Sequence, residues 1–495
     1  MMSERHHLHP VAVVIQAMIT IRQFIIPLGF WAIIQLRNMG IHAILWLLIG
    51  GFVVLLFTFV WGYIHWRRYT YRIEHGEFRI EHGVVYKKRR YIPLERIQSV
   101  DYVEGILHRL FGVVKVRVET AGGAGPEAEL QAVTREEAEQ LRNVLTVTRT
   151  VTDPGEHNVD PDQAEDKTQN VRRWRLKTGE LMILGLTSGS LGVIFPIIGG
   201  AFSFLAEFFP VESLFAFIGR YIHVEATFQF ISFALVVTFV VALASSIVTN
   251  ALKFGKFSLT RSGDHLLLER GLLERRRSTI PIRRIQAVRL EEGILRQPID
   301  RVTVRVVSAG YGGEGDNDPD TSTVIFPLLK KKEVMLFLRE FLPELTVEEI
   351  GFTKVPRRSW RRFVTVKVVL ATLISVPLSY FFYPWGLLAL LLVPLAVLYG
   401  HLCYRDEGWY LAGEDLVLRS RFLTRTTTIV TRRRIQSSTV KQSPFQRPSK
   451  LATFQVAIIG WLGRNVNVRH IDQRDASQLL EWASHRRPSR KQADH

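Results

Sequence analysis

The sequence predicts an α+β membrane protein with six transmembrane helices in three hairpins, each hairpin followed by a small β-barrel domain that a C-terminal helix closes. Three observations predict this architecture. Long uncharged apolar stretches recur in pairs, a short polar motif occurs three times, and the residues around that motif alternate as they do in half-buried strands. Internal repeats indicate duplicated modules, and apolar runs of about 18 residues or more indicate membrane spans.

Six apolar stretches provide the membrane part, because runs of about 20 apolar residues cross a hydrocarbon core. The stretches are Val11 to Leu36, Ile41 to Ile64, Leu181 to Phe204, Thr227 to Leu252, Val368 to Tyr383 and Trp385 to Leu402. The first contains a charged residue, Arg22, which leaves two interpretations open. Either the whole stretch spans with Arg22 facing protein or water, which we favour, or residues 11–21 lie along the interface and only 23–36 insert.

Basic residues beside these stretches predict the orientation. Arg67 and Arg68 follow the first hairpin, and Arg357, Arg358 and Arg361 precede the third, whereas the hairpin tips carry few lysines and arginines. Loops rich in lysine and arginine stay in the cytoplasm. The sequence therefore predicts a multi-pass protein of the inner (cytoplasmic) membrane, with both termini and all three β domains in the cytoplasm.

An Arg-Ile-Gln motif marks each repeat, and a glycine follows each glutamine after 24 residues. The three copies are Arg96, Ile97 and Gln98; Arg284, Ile285 and Gln286; and Arg434, Ile435 and Gln436. Two interpretations remain open. In the structural one, which we favour, arginine pairs across the barrel, isoleucine enters the core and glutamine satisfies backbone groups at a bulge. In the other, the motif contacts a ligand.

Each repeat is predicted to be a run of strands followed by one helix. Val114, Val116 and Val118 alternate with polar residues, as expected of a half-buried strand. Thr134 and Glu137 have the spacing of a capping box, which begins a helix. Helices are likewise expected from Lys331 to Phe341 and from Arg474 to Ser484, the latter capped by Asp472.

These patterns divide the chain into eight parts. They are the N-terminal segment with hairpin 1 (1–68), module 1 (69–148), a disordered acidic linker (149–170), hairpin 2 (171–253), module 2 (254–350), hairpin 3 (351–404), module 3 (405–487) and a tail (488–495).

The layout resembles the bacterial pleckstrin-homology (PH)-like membrane proteins of the YdbS/YdbT type. The resemblance covers nearly the whole chain and is most specific from Ile92-Pro93 to Gln98 and from Ile280-Pro281 to Gln286; His9-Pro10 also resembles the start of these proteins. It implies PH-like domains and a membrane location rather than a particular activity. The third copy departs from the pattern, with Val430-Thr431 in place of isoleucine and proline, which weakens any expectation of a ligand there.

Basic clusters lie just ahead of each motif, in a chain whose net charge is +18. They are Lys87, Lys88, Arg89 and Arg90; Arg275, Arg276 and Arg277; and Arg432 and Arg433. Each lysine or arginine held near an anionic leaflet gains about 1 kcal/mol. Two interpretations stay open at this point: the clusters bind phospholipid headgroups, or they are solvated charge that reinforces the topology. Nucleic acid is not expected, because no recognised binding motif accompanies the charge.

Catalytic and metal-binding patterns are missing from the sequence. It contains no phosphate-binding loop, no zinc-protease motif and no nucleophile elbow, and its one cysteine, Cys403, excludes a cysteine-based zinc site. Glu104 and Glu292 are equivalent, but Gln442 in the third copy argues against a shared acid–base role. We therefore expect no cofactor, no metal and no enzymatic activity.

The sequence supports two functional hypotheses. In the first, three cytoplasmic PH-like domains bind anionic phospholipids at the membrane surface or act as a protein scaffold, with a shorter PH-like relative as a possible partner and membrane-stress or antimicrobial-peptide tolerance as a possible outcome. In the second, the helical bundle transports or handles lipids and the PH-like domains act as gates. This alternative requires a hydrophilic or lipid-sized cavity that includes Arg22.

Overall fold

The structure is a computed structural model that describes residues 5–23, 41–120, 126–141, 172–188, 226–308, 322–345, 347, 351–458 and 466–484. Helices and strands are mixed throughout. The α-helices are α1 Val11–Gln23, α2 Ile41–Arg67, α3 Ile106–Leu110, α4 135–141, α5 Thr178–Thr187, α6 Ala226–Phe254, α7 Val334–Phe341, α8 Trp360–Phe381, α9 Leu392–Asp406 and α10 Gln473–Ser484. The predicted linker and tail lie outside the described residues.

The strands group by module. The N-terminal segment and module 1 contain β1 His6–His7, β2 Thr70–Glu74, β3 Glu77–His82, β4 Lys88–Pro93, β5 Ile97–Glu104, β6 Val113–Thr120 and β7 Ala128–Thr134. Hairpin 2 and module 2 contain β8 Arg172–Arg175, β9 Ser258–Ser262, β10 His265–Arg270, β11 Arg275–Pro281, β12 Ile285–Glu292, β13 Arg301–Ser308 and β14 Ser322–Lys330. Hairpin 3 and module 3 contain β15 Thr353–Lys354, β16 Gly408–Ala412, β17 Asp415–Arg421, β18 Arg425–Thr431, β19 Ile435–Lys441, β20 Leu451–Ile458 and β21 Val466–Asp472.

Two compact units divide the chain. Unit 1 comprises Met1–Val171, Leu267–Ile280 and Gly310–Gly312, and unit 2 comprises the remainder. Module 1 therefore shares a unit with β11, the third strand of module 2. Module 3 shares a unit with the later strands of module 2.

Four helices of the described residues are long and apolar enough to cross a membrane. They are Ile49–Arg67, Val236–Phe254, Arg357–Phe381 and Gly386–Asp406. The side chains that these helices expose are large and apolar, Phe52 and Phe57 among them, as expected for a surface that meets lipid. The prediction of six spans is not supported beyond these four, because the first and third predicted spans are described only as the shorter helices α1 and α5.

Small residues bring the helices of each hairpin together in unit 2. A Cβ atom on Gly400 of α9 would lie 2.8 Å from the Cα of Val364 in α8, and one on Gly185 of α5 would lie 2.6 Å from the Cα of Ile247 in α6. Glycine at such a contact lets two backbones approach closely, which is how helices gain packing energy in lipid. These hairpins are therefore specific helix pairs.

Each module repeats one pattern of three strands, a 3-10 turn, three further strands and a closing helix. In module 1 the 3-10 turn is Leu94–Arg96, and in modules 2 and 3 it is Ile282–Arg284 and Arg432–Arg434. The expected alternation is present in the middle of β6, where Val114, Val116 and Val118 are buried and Lys115 and Arg117 are half-buried, but Glu119 at the end of the strand is buried as well. The predicted caps are confirmed too: Thr134 and Glu137 form the capping box of α4, and Asp472 accepts a hydrogen bond from the backbone of Arg474.

The expectation that each module closes its own barrel is not supported, because the sheets are open and some pass from one module to the next. In unit 1, β5 pairs with β6 on one side and with β11 of module 2 on the other. In unit 2, a seven-stranded sheet runs in the order β14-β13-β12-β18-β17-β16-β15, so β12 of module 2 lies beside β18 of module 3. Open edges that meet in this way satisfy backbone hydrogen-bonding groups that a closed barrel would satisfy internally.

Candidate functional site at the module joints

Two antiparallel strand pairs connect consecutive modules. We define joint 1 as the pairing of β5 with β11, within unit 1, and joint 2 as the pairing of β12 with β18, within unit 2. Joint 2 also shares a hydrophobic core, because Ala287 and Val307 of module 2 pack in one cluster with Leu416 and Val430 of module 3. Each joint is therefore an interface between the main chains of two repeats.

The two joints use the same register. In joint 1, Arg275 lies opposite Glu104, and in joint 2, Arg425 lies opposite Glu292. Both arginines hold the same position in their repeats, nine residues ahead of the arginine of the Arg-Ile-Gln motif, and both glutamates hold the same position after the motif. Opposite charges on facing residues of neighbouring strands stabilise a pair by about 0.2–1 kcal/mol and disfavour a slipped register. The joints therefore share one strand register, while their glutamate side chains pair differently: Glu104 pairs with Arg135 and Glu292 with Arg425.

Joint 1 is reinforced by side chains that reach backbone groups across it. Asp101 on β5 is buried, and its carboxylate accepts hydrogen bonds from the Ser278 hydroxyl at 3.1 Å and from the Thr279 amide at 3.4 Å. The Arg109 guanidinium of α3 donates to the carbonyl oxygens of Leu272 and Leu273, at 3.1 and 2.9 Å, in the turn ahead of β11. Asp101 therefore holds β11 itself, and Arg109 holds the turn that precedes β11.

Joint 2 contains a buried network of ion pairs. Arg425 donates to Glu292, with its Nε 3.0 Å from Oε1, and lies 3.4 Å from Asp406. Arg421 donates to Asp406 and to the side-chain oxygen of Gln297. Glu292 and Asp406 are only 3% and 7% exposed, so each carboxylate depends on these partners. Removing one partner of a buried ion pair costs about 3–5 kcal/mol, because the remaining charge stays buried.

The network also connects joint 2 with a membrane hairpin. Asp406 is the last residue of α9, the second helix of hairpin 3. Its carboxylate is shared by Arg421 at the end of β17 and Arg425 at the start of β18. A displacement of the C-terminal end of α9 would therefore disturb the charges that hold modules 2 and 3 together.

The next residue, Glu407, is buried beneath the same hairpin. It is 1% exposed and accepts a hydrogen bond of 2.6 Å from the backbone amide of Arg469. Burial raises the pKa of Glu407 to about 7, although the Arg469 guanidinium, 3.6 Å away, favours the charged form. Beside Arg469, His470 has its pKa lowered to about 4, first by burial and then by the nearby positive charges. The pKa values of the two groups are thus shifted in opposite directions.

The Arg-Ile-Gln motif lies where each 3-10 turn meets the strand that follows it. Arg96, Arg284 and Arg434 end the three turns. The pairing register then shifts at the glutamine position in all three strands. Gln286 is buried and donates to the carbonyl of Arg284 at 2.9 Å, while Gln436 is exposed on a strand with no neighbour on that side among the described residues.

The predicted basic clusters lie in three different settings, and most of their charges face carboxylates. In the first cluster, Lys87 pairs with Glu81 at 2.8 Å and Arg90 with Glu127 at 2.9 Å, while Arg89 is 3.9 Å from Glu81. The second cluster lies on β11 inside joint 1, where Arg276 pairs with Glu274 and Arg277 with Glu269. In the third, Arg433 pairs with Glu344, and Arg432 lies over the Trp482 ring at 5.5 Å. The first two clusters belong to unit 1 and the third to unit 2.

Sequence reasoning missed the most informative residues of the joints. From the sequence, Glu104 and Glu292 are candidates only for acid–base groups, and the cluster around Arg275 only for headgroup binding or for solvated charge. The signal was present: modules that are followed by another module carry the glutamate, and the last module carries Gln442 instead. Arg421, which replaces the glycine of the first two repeats, is explained by its place in the buried network.

Neither the intramembrane charge Arg22 nor a metal site is found at the joints among the described residues. Arg22 is exposed near the end of α1, and the residues that would complete its predicted span lie outside the described ranges. Within the part of the chain that the structure describes, no group of three histidine, cysteine, aspartate or glutamate side chains is placed to hold a metal ion.

Comparisons with known proteins agree with the repeated fold. A family model described as "Bacterial PH domain" matches residues 16–147, 210–344 and 363–487. The chain is also similar to the "UPF0699 transmembrane protein YdbT" of Bacillus subtilis (strain 168), with 34% identity over 500 residues that cover 98% of this chain and 99% of that protein. The chain belongs to the bacterial PH domain family.

Proposed function

We propose that this chain is a non-enzymatic membrane scaffold that couples its membrane hairpins through joints between PH-like modules. The observation that carries the proposal is the repeated register of joints 1 and 2, with an arginine opposite a glutamate in each. Because equivalent residues pair in the same register twice, the pairing is a specific interface between modules. A function in holding modules together explains the repeated register, and solvated surface charge does not.

The proposal includes a membrane topology. The chain has six spans in the cell membrane, and both termini and all three modules lie in the cytoplasm. Support comes from the four long apolar helices and from Arg67, Arg68, Arg357 and Arg358 at the module ends of hairpins 1 and 3. Basic residues beside spans are retained in the cytoplasm.

A charge reversal at joint 2 tests the scaffold function. Glu292→Arg places two positive groups opposite each other, and the double variant Glu292→Arg with Arg425→Glu restores opposite charge. We expect cells that depend on the protein for tolerance to a membrane-permeabilising peptide to lose that tolerance with the single variant and to regain much of it with the double variant. Immunoblots of the membrane fraction control for abundance. Full tolerance with the single variant at normal abundance would refute the scaffold function.

A second candidate function is binding of anionic headgroups, and one observation favours it. Arg357 and Arg361 are exposed around the start of α8, beside the partly exposed ring of Trp360, while Arg358 between them pairs with Asp472. Exposed arginines next to an interfacial tryptophan suit contact with phospholipid phosphates. The basic clusters ahead of the motifs are less suited, since their charges are largely paired.

Nanodiscs with and without phosphatidylglycerol test this second function. We expect the anionic lipid to slow amide hydrogen exchange over residues 353–366, and we expect the double variant Arg357→Glu with Arg361→Glu to abolish the effect. Lys332→Glu, an exposed basic residue in module 2, is the matched control. Equal exchange in both lipids would exclude headgroup binding at this place and would leave the scaffold proposal intact.

A further inference from the structure

Strand β4 of module 1 has an outer edge that no other described strand covers. It is the last strand of the sheet β1-β2-β3-β4, whereas its counterparts β11 and β18 each pair with a strand of the preceding module. Lys88, Arg89, Arg90 and Tyr91 of β4 are exposed. The turn ahead of it also exposes apolar side chains, with Val85 at 74% and Tyr86 at 81%. An uncovered edge of this kind is a template for a further strand.

The residues of this edge match one side of a joint. Lys87 holds the position of Arg275 and Arg425, the two arginines that face glutamates. At the opposite end of the repeat series, β19 is also an edge strand among the described residues, but it leads to Gln442 where β5 and β12 have glutamate. Module 1 therefore has a basic residue, Lys87, at the position that faces a glutamate in the joints, whereas module 3 has Gln442 in place of that glutamate.

A second copy of the chain fits this edge poorly. In the register of joints 1 and 2, β19 of another copy would place Gln442 opposite Lys87 and Lys441 opposite Lys88. Like charges on facing residues destabilise a strand pair, and basic residues on an edge discourage pairing with another basic strand. The fitting partner is therefore a different chain.

We propose that the outer edge of β4 binds an antiparallel strand from a PH-like module of another protein, one that carries glutamate at the position of Glu104. The proposal rests on the scaffold function above and specifies the chemistry of its partner. The incoming glutamate lies opposite Lys87, as Glu104 lies opposite Arg275. Lys87 exchanges its pair with the half-buried Glu81 for the new one, and Glu81 keeps Arg89 at 3.9 Å.

The chain itself supplies the probe and its matched control. The probe is a dye-labelled peptide of residues 97–105, the sequence of β5 with Glu104, and the control peptide is residues 435–443, the equivalent sequence of β19 with Gln442. The receptor is the full-length protein in nanodiscs of neutral lipid, and binding is measured by fluorescence anisotropy. We expect saturable binding of the first peptide and binding about fivefold weaker of the second.

Charge exchange then locates the site. Lys87→Glu in the receptor should weaken binding of the 97–105 peptide about tenfold, and a peptide with Glu104→Lys should recover most of the loss on that variant. No saturable binding, or equal binding of both peptides, would overturn the proposal. Competition by phosphatidylglycerol vesicles would also overturn it, because the edge would then be a lipid site. Joints 1 and 2 are inside the chain, so failure here would leave the charge-reversal test of the scaffold unaffected.

Discussion

At the scale of single residues, position in the repeat determines what a charge does. Glu104 and Glu292 are equivalent in sequence, and each lies opposite an arginine of the following module. Arg421 departs from the repeat and is buried against Asp406. A basic cluster read from sequence alone suggests a lipid surface, but the sequence does not show which of its charges are paired with carboxylates, as Lys87 is with Glu81 and Arg433 with Glu344.

Loss of Arg425 should destabilise joint 2 strongly. Arg425→Ala leaves Glu292 with Lys331, 3.4 Å away, and leaves Asp406 with Arg421. We expect the free energy of unfolding to fall by about 3 kcal/mol, since a buried carboxylate loses its main partner. Chemical unfolding in detergent micelles measures the change. The control is Arg277→Ala, whose partner Glu269 is exposed, and its cost should stay below about 1 kcal/mol. Equal costs would contradict a buried network.

Glu407 and His470 should have opposing effects on stability as pH changes. A carboxyl group with a pKa raised from 4.5 to about 7 binds more protons when folded, so its contribution to stability falls as pH rises from about 4.5 to 7. An imidazole with a pKa lowered from 6.5 to about 4 binds fewer protons when folded, so its contribution rises over about pH 4 to 6.5. In the wild type the two trends offset each other.

Single variants separate the two effects. Glu407→Gln should leave a stability that increases with pH between about 4 and 6.5, and His470→Asn one that decreases between about 4.5 and 7. Asparagine is chosen because His470 has a φ of 57°, a conformation that asparagine tolerates. Thermal unfolding across this pH range provides the measurement. Parallel pH profiles for both variants would show that neither group is coupled to folding.

At the scale of elements, strand alternation and helix caps were predictable because they depend on neighbouring residues. The capping box of α4 and the buried valines of β6 are local features. Which strand pairs with which was not predictable in the same way. β5 pairs with β11, and the intervening chain includes a whole membrane hairpin, so no short-range pattern in the sequence records the pairing. A closed barrel was the simpler expectation and was wrong for that reason.

Gly271 should tolerate no side chain. Its φ is 101°, and a Cβ atom there would lie 1.9 Å from the carbonyl oxygen of Glu274 in the turn ahead of β11. We expect Gly271→Ala to reduce the free energy of unfolding by about 1–3 kcal/mol and to loosen joint 1. Amide hydrogen exchange in β11 measures the loosening. Gly293→Ala, where nothing lies within 4 Å, is the control. Unchanged exchange in both would contradict the turn geometry.

At the scale of the whole molecule, the repeat and the membrane helices were the most predictable features. Membership of the bacterial PH domain family agrees with a resemblance read from the motif residues. Four apolar helices are present as expected, and the arginines beside them predict the side of the membrane. The strand pairs that connect the modules could not be predicted from the sequence, because they depend on which sheet edges come together when the chain folds.

Cysteine labelling tests the predicted side of the membrane. Glu95→Cys, Lys332→Cys and Ser477→Cys each place a thiol at an exposed position, one per module, while native Cys403 is fully buried. In intact cells a membrane-impermeant maleimide should leave all three variants unlabelled, and permeabilised cells should be labelled. A residue engineered into a known external loop of another membrane protein serves as the positive control. Labelling of any module in intact cells would refute the cytoplasmic orientation.

The most direct test of the account is disulfide cross-linking across joint 1. In a Cys403→Ser background, Glu104→Cys with Arg275→Cys joins facing residues, whose Cα atoms lie about 4.5–5.5 Å apart in an antiparallel pair and are within disulfide range. Glu104→Cys with Arg277→Cys is offset by two residues, about 7 Å along the strand. Under mild oxidation in native membranes, mass spectrometry should find a disulfide within one chain for the first pair and little for the second. Efficient cross-linking of the offset pair, or of neither pair, would contradict the shared register of the joints.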